Sequence, residues 1–304
     1  MGKTVREGET AQATRIGARR DLAVMFPGQG SQSTGMGREL FAAFPQQTRL
    51  ASEVLGYSIQ RLCLEDPDKR LNDTAYTQPA IYVVSALGFL RKRIDGDPAA
   101  EAEYALGHSL GEYNALQAAG AFDFETGLRL VAKRGEIMAR VRDGAMAAVL
   151  QTEAGHVREL LDRDGLHDVD LANYNTPTQT VVSGRKDDIE RAMQSLERVG
   201  VAAILLKVTA AFHSRHMREA AEEFAGFARG LDYAEPQRTV IANSDATPYG
   251  ADDIADRLAA QIAMPVRWLD SVRYLIDRGV SEFIEINSAI LSRMVAEIRS
   301  APLR

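Results

Sequence analysis

A chain of 304 residues, 45% hydrophobic and 26% charged, is long enough to bury one large core and a small second one. Its formal charge of -6 argues against general nucleic-acid binding, because neutralising phosphates requires a basic surface. Cys63 is the single cysteine, which excludes an intrachain disulfide and a cysteine-rich metal site, and no apolar run approaches the roughly 18 residues of a membrane span, so a cytoplasmic protein is expected.

Residues 1–20 mix Arg and Glu with Thr, Gly and Ala and lack the apolar stretch of a signal peptide; a disordered arm or leader is expected there. From Asp21 onward, short β-rich runs alternate with amphipathic segments, the pattern of an α/β protein with a largely parallel sheet. The first strand is placed at 22–26. Helices are placed at 35–44 and 78–93, the second with Ile81, Val84, Leu87 and Leu90 along its apolar face. A short strand at 104–106 runs into a tight turn, followed by helices at 110–119 and 124–141.

The cadence changes between 145 and 207. Strand 146–150, helix 153–162, strands 169–173 and 180–183, helix 187–199 and strand 202–207 read in the order βαββαβ, that of a ferredoxin-like unit. The expected organisation is a catalytic α/β domain made of 21–144 and 208–304, interrupted by a small domain at 145–207. In the resumed domain, helices are expected near 217–229, 252–263 and 270–278, strands at 239–242 and 282–286, and a helix at the end.

Gly107-His108-Ser109-Leu110-Gly111 matches G-x-S-x-G between a predicted strand and a predicted helix, the context of a nucleophile elbow. Glycines permit the strained turn, and the helix N-terminus beyond Ser109 offers amide groups to a developing oxyanion. The alternative is a glycine-flanked helix cap with Ser109 as the N-cap. A serine hydroxyl needs a base, and the chain has five histidines. His108 adjoins the serine and is assigned to the pocket wall, while His156 and His167 fall in polar surroundings. His213, in the apolar run Ala210-Ala211-Phe212-His213-Ser214, is the best-placed base. A His213–His216 metal pair is set aside for want of acidic or cysteine ligands nearby, so no metal is expected. Gly28-Gln29-Gly30 follows the first strand but lacks the third glycine of G-x-G-x-x-G and any Gly-Lys-Ser/Thr. It is read as a loop that places an amide beside the nucleophile rather than as a nucleotide site.

Together with the elbow, Phe26-Pro27-Gly28-Gln29-Gly30-Ser31-Gln32, Thr77-Gln78-Pro79-Ala80, Arg134-Gly135 with Met138, and Ala211-Phe212-His213-Ser214 resemble, in this order, the malonyl-CoA:acyl-carrier-protein transacylases and the acyltransferase domains of polyketide synthases. The similarity runs over about 21–286. It implies an α/β-hydrolase-like large domain with an inserted ferredoxin-like small domain and a cleft between them. It implies a ping-pong reaction: Ser109 takes a malonyl-type group from a coenzyme A thioester, and the phosphopantetheine thiol of an acidic acyl carrier protein removes it, with no bound cofactor. The resemblance further implies that His213 is base and then acid, that Gln29 and Leu110 supply oxyanion amides, and that the carbonyl of Gln261 orients the histidine. Arg134 would pair with the malonyl carboxylate, with Gln78, His108, Asn175 and Phe212 lining the pocket. Two positions depart from the pattern: Ala210 stands where the malonyl-selective motif has histidine, and Asn287-Ser288-Ala289 replaces a Gly-Pro-Gly turn. Arg215, Arg218, Arg293 and Arg299 are candidates for a basic docking patch on an otherwise acidic enzyme.

Competing readings are an editing hydrolase that clears other acyl groups from a carrier protein, a lipase or esterase, and a non-catalytic carrier-docking module. Arg134 speaks against the first. The second requires a histidine near the C-terminus, and none follows His216. The presence of both Ser109 and His213 speaks against the third.

Overall fold

The computed structural model describes residues 19–301. The expected leader falls outside the described residues except for Arg19 and Arg20, which are not leader but the start of the first strand. Arg19 is tied there by ion pairs to Asp21 at 2.6 Å and to Glu282 on the neighbouring strand at 2.9 Å. Among the described residues the strands are β1 (Arg19–Phe26), β2 (Ala102–Gly107), β3 (Gly144–Val149), β4 (Asp170–Thr176), β5 (Gln179–Arg185), β6 (Ala203–Leu205), β7 (Thr239–Ile241) and β8 (Glu282–Glu285).

One sheet is parallel throughout, in the order β7-β2-β1-β8. Parallel strands are covered on both faces, and β1 has the unbroken apolar run this requires. Leu22, Val24 and Phe26 point into the main core, which they share with helices Thr74–Ile94 and Phe124–Arg140, while Ala23 and Met25 meet Trp268, Val272, Leu275 and Leu291 on the opposite face.

The second sheet is antiparallel, in the order β4-β5-β3-β6, with helices Ala154–Arg163 and Lys186–Arg198 on one face. This order and the βαββαβ sequence are those of a ferredoxin-like unit. Alternation along β3 sends Ala145, Ala147 and Val149 into the small domain's own core and Met146 and Ala148 toward the main one. The second sheet is stitched to the segment after helix Ile254–Ala263, where Tyr174 N–H donates to the carbonyl of Val266 at 2.9 Å and Val266 N–H to that of Ala172 at 2.8 Å.

Four helices differ from expectation. Helix 35–44 shrinks to Arg38–Ala43 and is followed by helices Pro45–Leu55 and Ile59–Glu65, neither of which was expected. Pro45–Leu55 buries only Thr48 and Ala51, and its other core contacts, Val54 and Leu55, are partly buried and confined to the last turn, so its apolar stripe is short. The long helix begins at Thr74 rather than 78, because Asp73 caps it by accepting from Ala75 N–H at 3.1 Å; Pro79 lies inside it.

Candidate active site

Ser109 sits between the end of β2 and helix Gly111–Ala118 with φ 51°, in the left-handed region that L side chains rarely enter. The glycines on either side are obligatory. A Cβ on Gly107 would lie 1.9 Å from the carbonyl carbon of Gly111, and one on Gly111 would lie 2.0 Å from the carbonyl oxygen of Phe26. The turn therefore brings the first helical residues against the end of β1 and lifts the serine hydroxyl into the cleft.

His213, also left-handed at φ 56°, places Nε2 2.7 Å from Ser109 Oγ. Its Nδ1 faces the carbonyls of Gln261 at 2.9 Å and Met264 at 3.2 Å. Carbonyls only accept, so Nδ1 carries the proton and Nε2 presents a lone pair to the serine. Burial, reinforced by the nearby Arg134 cation, pushes the His213 pKa down to about 3, which keeps the ring neutral. His216 turns away, toward the carbonyl of Asp168, and His156 and His167 sit beside surface carboxylates. Among the described residues no group of three or more His, Cys, Asp or Glu is close enough to hold a metal ion.

Arg134 is 1% exposed, yet its hydrogen-bond partners are all neutral oxygens. One nitrogen donates to Gln78 Oε1 at 2.8 Å; the other donates to Gln261 Oε1 at 2.8 Å and to Ser109 Oγ at 3.1 Å. Nε has no partner, and the guanidinium lies over the Tyr113 ring at 5.5 Å. Gln261 thus works twice: its carbonyl holds the histidine, and its side chain links Arg134 to the carbonyl of Ser109, which accepts from Nε2 at 2.8 Å.

These groups open into a cavity of about 250 Å³ between the domains. Gln29, Gln78, His108, Leu110, Asn175 and Phe212 line it, and neither the Gln29 nor the Leu110 amide donates to another backbone carbonyl among the described residues. His108 Nε2 lies 2.9 Å from Asn175 Oδ1, and Asn175 Nδ2 donates to Gln179 Oε1 at 3.0 Å, so the small domain reaches across to the residue before the serine. Of the four candidate docking arginines, Arg215 is neutralised by Asp168 and Asp170 at 3.2 and 2.5 Å. Arg299 donates to the carbonyl of Ser281 at 2.9 Å. Arg218 and Arg293 are exposed, Arg218 in a groove beside His213.

Two polar residues at the elbow have roles that the sequence reading does not assign: Glu112, which is part of the run that resembles the family, and Asn243. Asn243 accepts from Ser109 N–H at 2.6 Å and donates to the carbonyl of Gly107 at 2.7 Å. Glu112, fully buried, accepts from Asn243 N–H at 2.8 Å and from the Tyr249 hydroxyl. Burial pushes its carboxyl up to about 7 against these donors. Glu112 follows the G-x-S-x-G run by one residue, and a buried acid at that spacing was the available signal.

The acyl transferase domain profile matches residues 24–296. The chain belongs to this acyltransferase family. It is 49% identical to the polyketide biosynthesis malonyl CoA-acyl carrier protein transacylase BaeC of Bacillus velezensis, over 92% of this chain and 97% of that protein. It is 51% identical to the polyketide biosynthesis protein ThaF of Burkholderia thailandensis over 91% of this chain, which spans only 24% of ThaF. A crystal structure of malonyl CoA-acyl carrier protein transacylase from Burkholderia pseudomallei superposes with TM-score 0.89 at 45% identity, covering 93% of this chain and 99% of that one. A type II PKS acyl-carrier protein in complex with its malonyl-transacylase gives TM-score 0.86 at 33% identity, covering 91% and 93%.

In this acyltransferase the two departures have local explanations. Asn287 adopts φ 55°, a conformation that asparagine tolerates in place of glycine, and its side chain donates to the carbonyl of Val84 at 2.9 Å across Gly88. Ala210 is buried in the main core beside Gly144 and does not line the cavity.

Proposed function

We propose that this acyltransferase moves a malonyl group from coenzyme A to the phosphopantetheine thiol of an acyl carrier protein through an ester on Ser109. The observation that carries the choice of acyl group is Arg134. A guanidinium held in the acyl cavity by neutral oxygens alone, 3.1 Å from Ser109 Oγ, is poised to meet an anion delivered with the substrate. A malonyl carboxylate supplies that anion, and bidentate pairing replaces the hydration both groups lose. The relatives' names support the same choice.

In the first half-reaction His213 Nε2 takes the serine proton as Oγ attacks the thioester carbonyl. The resulting oxyanion is stabilised by the amides of Leu110 and Gln29, and the imidazolium that forms is held by the carbonyls of Gln261 and Met264. Collapse of the tetrahedral intermediate breaks the C–S bond, and His213 returns its proton to the departing coenzyme A sulfur. In the second half-reaction the same nitrogen takes the proton of the carrier thiol, the sulfur attacks the malonyl ester, and Ser109 leaves with the proton. Gln78 and Gln261 hold the guanidinium in register throughout, and Asn175, through His108, shapes the wall beside the ester.

Every chemical role in this scheme is filled by a side chain or backbone amide, so the reaction requires no bound cofactor. Coenzyme A and carrier substrates, with the buried free thiol of Cys63, support a cytoplasmic setting. Among the described residues no helix is long and apolar enough to cross a membrane. Intact mass spectrometry after incubation with malonyl-, methylmalonyl- and acetyl-CoA tests the proposal. The expected result is a malonyl adduct on Ser109 that disappears when a holo-carrier is added; an acetyl adduct in preference, or loss to water alone, overturns it.

A further inference from the structure

Strand β2 pairs with β7 in parallel, with Tyr104 opposite Thr239, Ala105 opposite Val240 and Leu106 opposite Ile241. Val240 and Ala242 turn their backbone groups the other way, to the Tyr249 N–H and the Thr247 carbonyl, so Thr239 and Ile241 face β2 and the next residue to do so would be Asn243, opposite His108. In a parallel rung the partner residue donates its N–H to the carbonyl before the paired residue and accepts from the N–H after it. For His108 those groups are the carbonyl of Gly107 and the N–H of Ser109. Both bonds are present, but the side-chain amide of Asn243 makes them: Nδ2 donates to Gly107 O at 2.7 Å and Oδ1 accepts from Ser109 N at 2.6 Å. The backbone N–H of Asn243 is turned instead to Glu112 Oε2 at 2.8 Å, and Glu112 is held from behind by Tyr249.

We infer that Asn243 is a positioning residue whose side chain completes the missing rung of the sheet and so holds Ser109 in its left-handed, catalytically competent conformation. The inference rests on the reading of Ser109 as the nucleophile. An asparagine amide has the donor and acceptor of a peptide group but sits at the end of a side chain. It therefore spans the extra distance created as the chain leaves β2, where a backbone rung would pull residue 109 back into the strand. It also fixes the direction of the oxyanion site. The Ser109 amide is spent on Asn243 inside the domain, which leaves the Leu110 amide as the one next to the nucleophile that can turn toward the cavity. Of the residues that could occupy position 243, aspartate is the informative substitute. As a carboxylate it accepts from Ser109 N–H but sets a second acceptor against the Gly107 carbonyl; protonated, it restores both bonds.

The test follows Ser109 modification in Asn243→Ala and Asn243→Asp by intact mass, using malonyl-CoA and, separately, a fluorophosphonate that reports any activated serine. Asn243→Ala is expected to lower the acylation rate by roughly 100-fold, the scale of a displacement of about 1 Å at the reacting atom, with little change in KM for malonyl-CoA. Asn243→Asp is expected to be slow at pH 8 and to recover as the pH falls to 5.5, relative to the wild type measured in parallel. The wild-type curve accounts for the other ionisable groups around the bridge: Glu112, Tyr249 and Arg257 behind it, and His108, His213 and Arg134 around the serine. Acid recovery distinguishes a bridge from simple loss of packing, and it can be read even where the alanine variant fails to fold. Wild-type rates with both reagents in Asn243→Ala, or a folded Asn243→Asp without acid recovery, overturn the inference. A wild type labelled by fluorophosphonate but not by malonyl-CoA would instead refute the proposed acyl group, and the bridge would then be judged from fluorophosphonate rates alone.

Discussion

The two walls of the cleft are built differently. The large domain contributes Ser109, His213, Arg134, Gln78 and Gln261, joined by hydrogen bonds of 2.7 to 3.1 Å. The small domain faces them with Met146, Ala148 and Val181 and with the polar chain from Asn175 to Gln179. In the proposed mechanism bond-making therefore belongs to the large domain, while fit is shared, since Leu110, Met138, Phe212, Ile290 and Leu291 of the large domain also line the cavity. The polar wall needs each group in one place, which the main core and both sheet ends enforce. The apolar wall needs only volume and shape, and a separately folded sheet can change these without disturbing the dyad.

The largest effects are expected where the polar wall is cut. Ser109→Ala should give no acyl adduct with any acyl-CoA. His213→Ala should slow adduct formation by about 10²–10⁴-fold, the usual contribution of a positioned general base. Because His213 is depressed to about 3, kcat/KM should stay level as pH falls through 6.5 and decline only well below it. Once a malonyl carboxylate neutralises Arg134, one cause of the depression is removed, so the acid limb of kcat should lie at higher pH than that of kcat/KM. Coincident limbs near 6.5 that persist in Glu112→Gln, which removes the buried carboxyl held at about 7, would mean that the base is solvated. The same shift acts on stability. The unfolded histidine takes up a proton near 6.5 and the folded one near 3, so the contribution of this group to stability is lost as pH falls through that window.

Arg134→Ala separates anchoring from chemistry within the same wall. Leaving a buried carboxylate unpaired costs about 3–5 kcal/mol, so malonyl transfer should fall by at least two orders of magnitude while the rate with acetyl-CoA stays level or rises. A mutant that keeps its malonyl preference would move the carboxylate site elsewhere.

Much of this division could be read in the sequence. The elbow was visible because strand, glycine-flanked serine and helix are contiguous, and the small domain because βαββαβ alternation is a local signal. His213 could be singled out because only five histidines compete. Asn243 could not, since its role depends on a rung between strands whose residues lie more than 130 positions apart in the chain. Helix Pro45–Leu55 is hard to read because its core-facing Ala51, Val54 and Leu55 follow a polar first half, Gln46, Gln47, Thr48 and Arg49, and the long helix begins at Thr74, a turn before the apolar stripe from Ile81 onward makes it legible.

Changes in the apolar wall should be milder and should alter choice more than rate. Met146→Val removes one heavy atom from the cavity while keeping a residue suited to β3. It should improve methylmalonyl relative to malonyl by about 1 kcal/mol, the low end of what one methyl group discriminates. A comparable loss of kcat with malonyl-CoA would show that the small domain also positions the reacting groups, which would dissolve the division.

The smallest expected effect on the chemistry lies outside both walls, on the rim. The enzyme carries a net charge of -6 and an acidic carrier must still reach the cleft, so local positive charge has to outweigh the global field. Arg215 contributes little, because Asp168 and Asp170 already neutralise it. Arg218, exposed and three residues further along, lines the groove beside His213 with no such pairing among the described ion pairs. Single exposed charges are worth about 0–1 kcal/mol, and reversal counts the charge twice. Arg218→Glu should therefore raise KM for the carrier by no more than about 30-fold, with a weaker effect at high salt, where screening shortens the reach of the field. Acylation by malonyl-CoA should be unchanged, since that half-reaction involves no carrier. Equal losses in both half-reactions would assign Arg218 to the phosphates of coenzyme A, and the rim would then serve the donor rather than the acceptor.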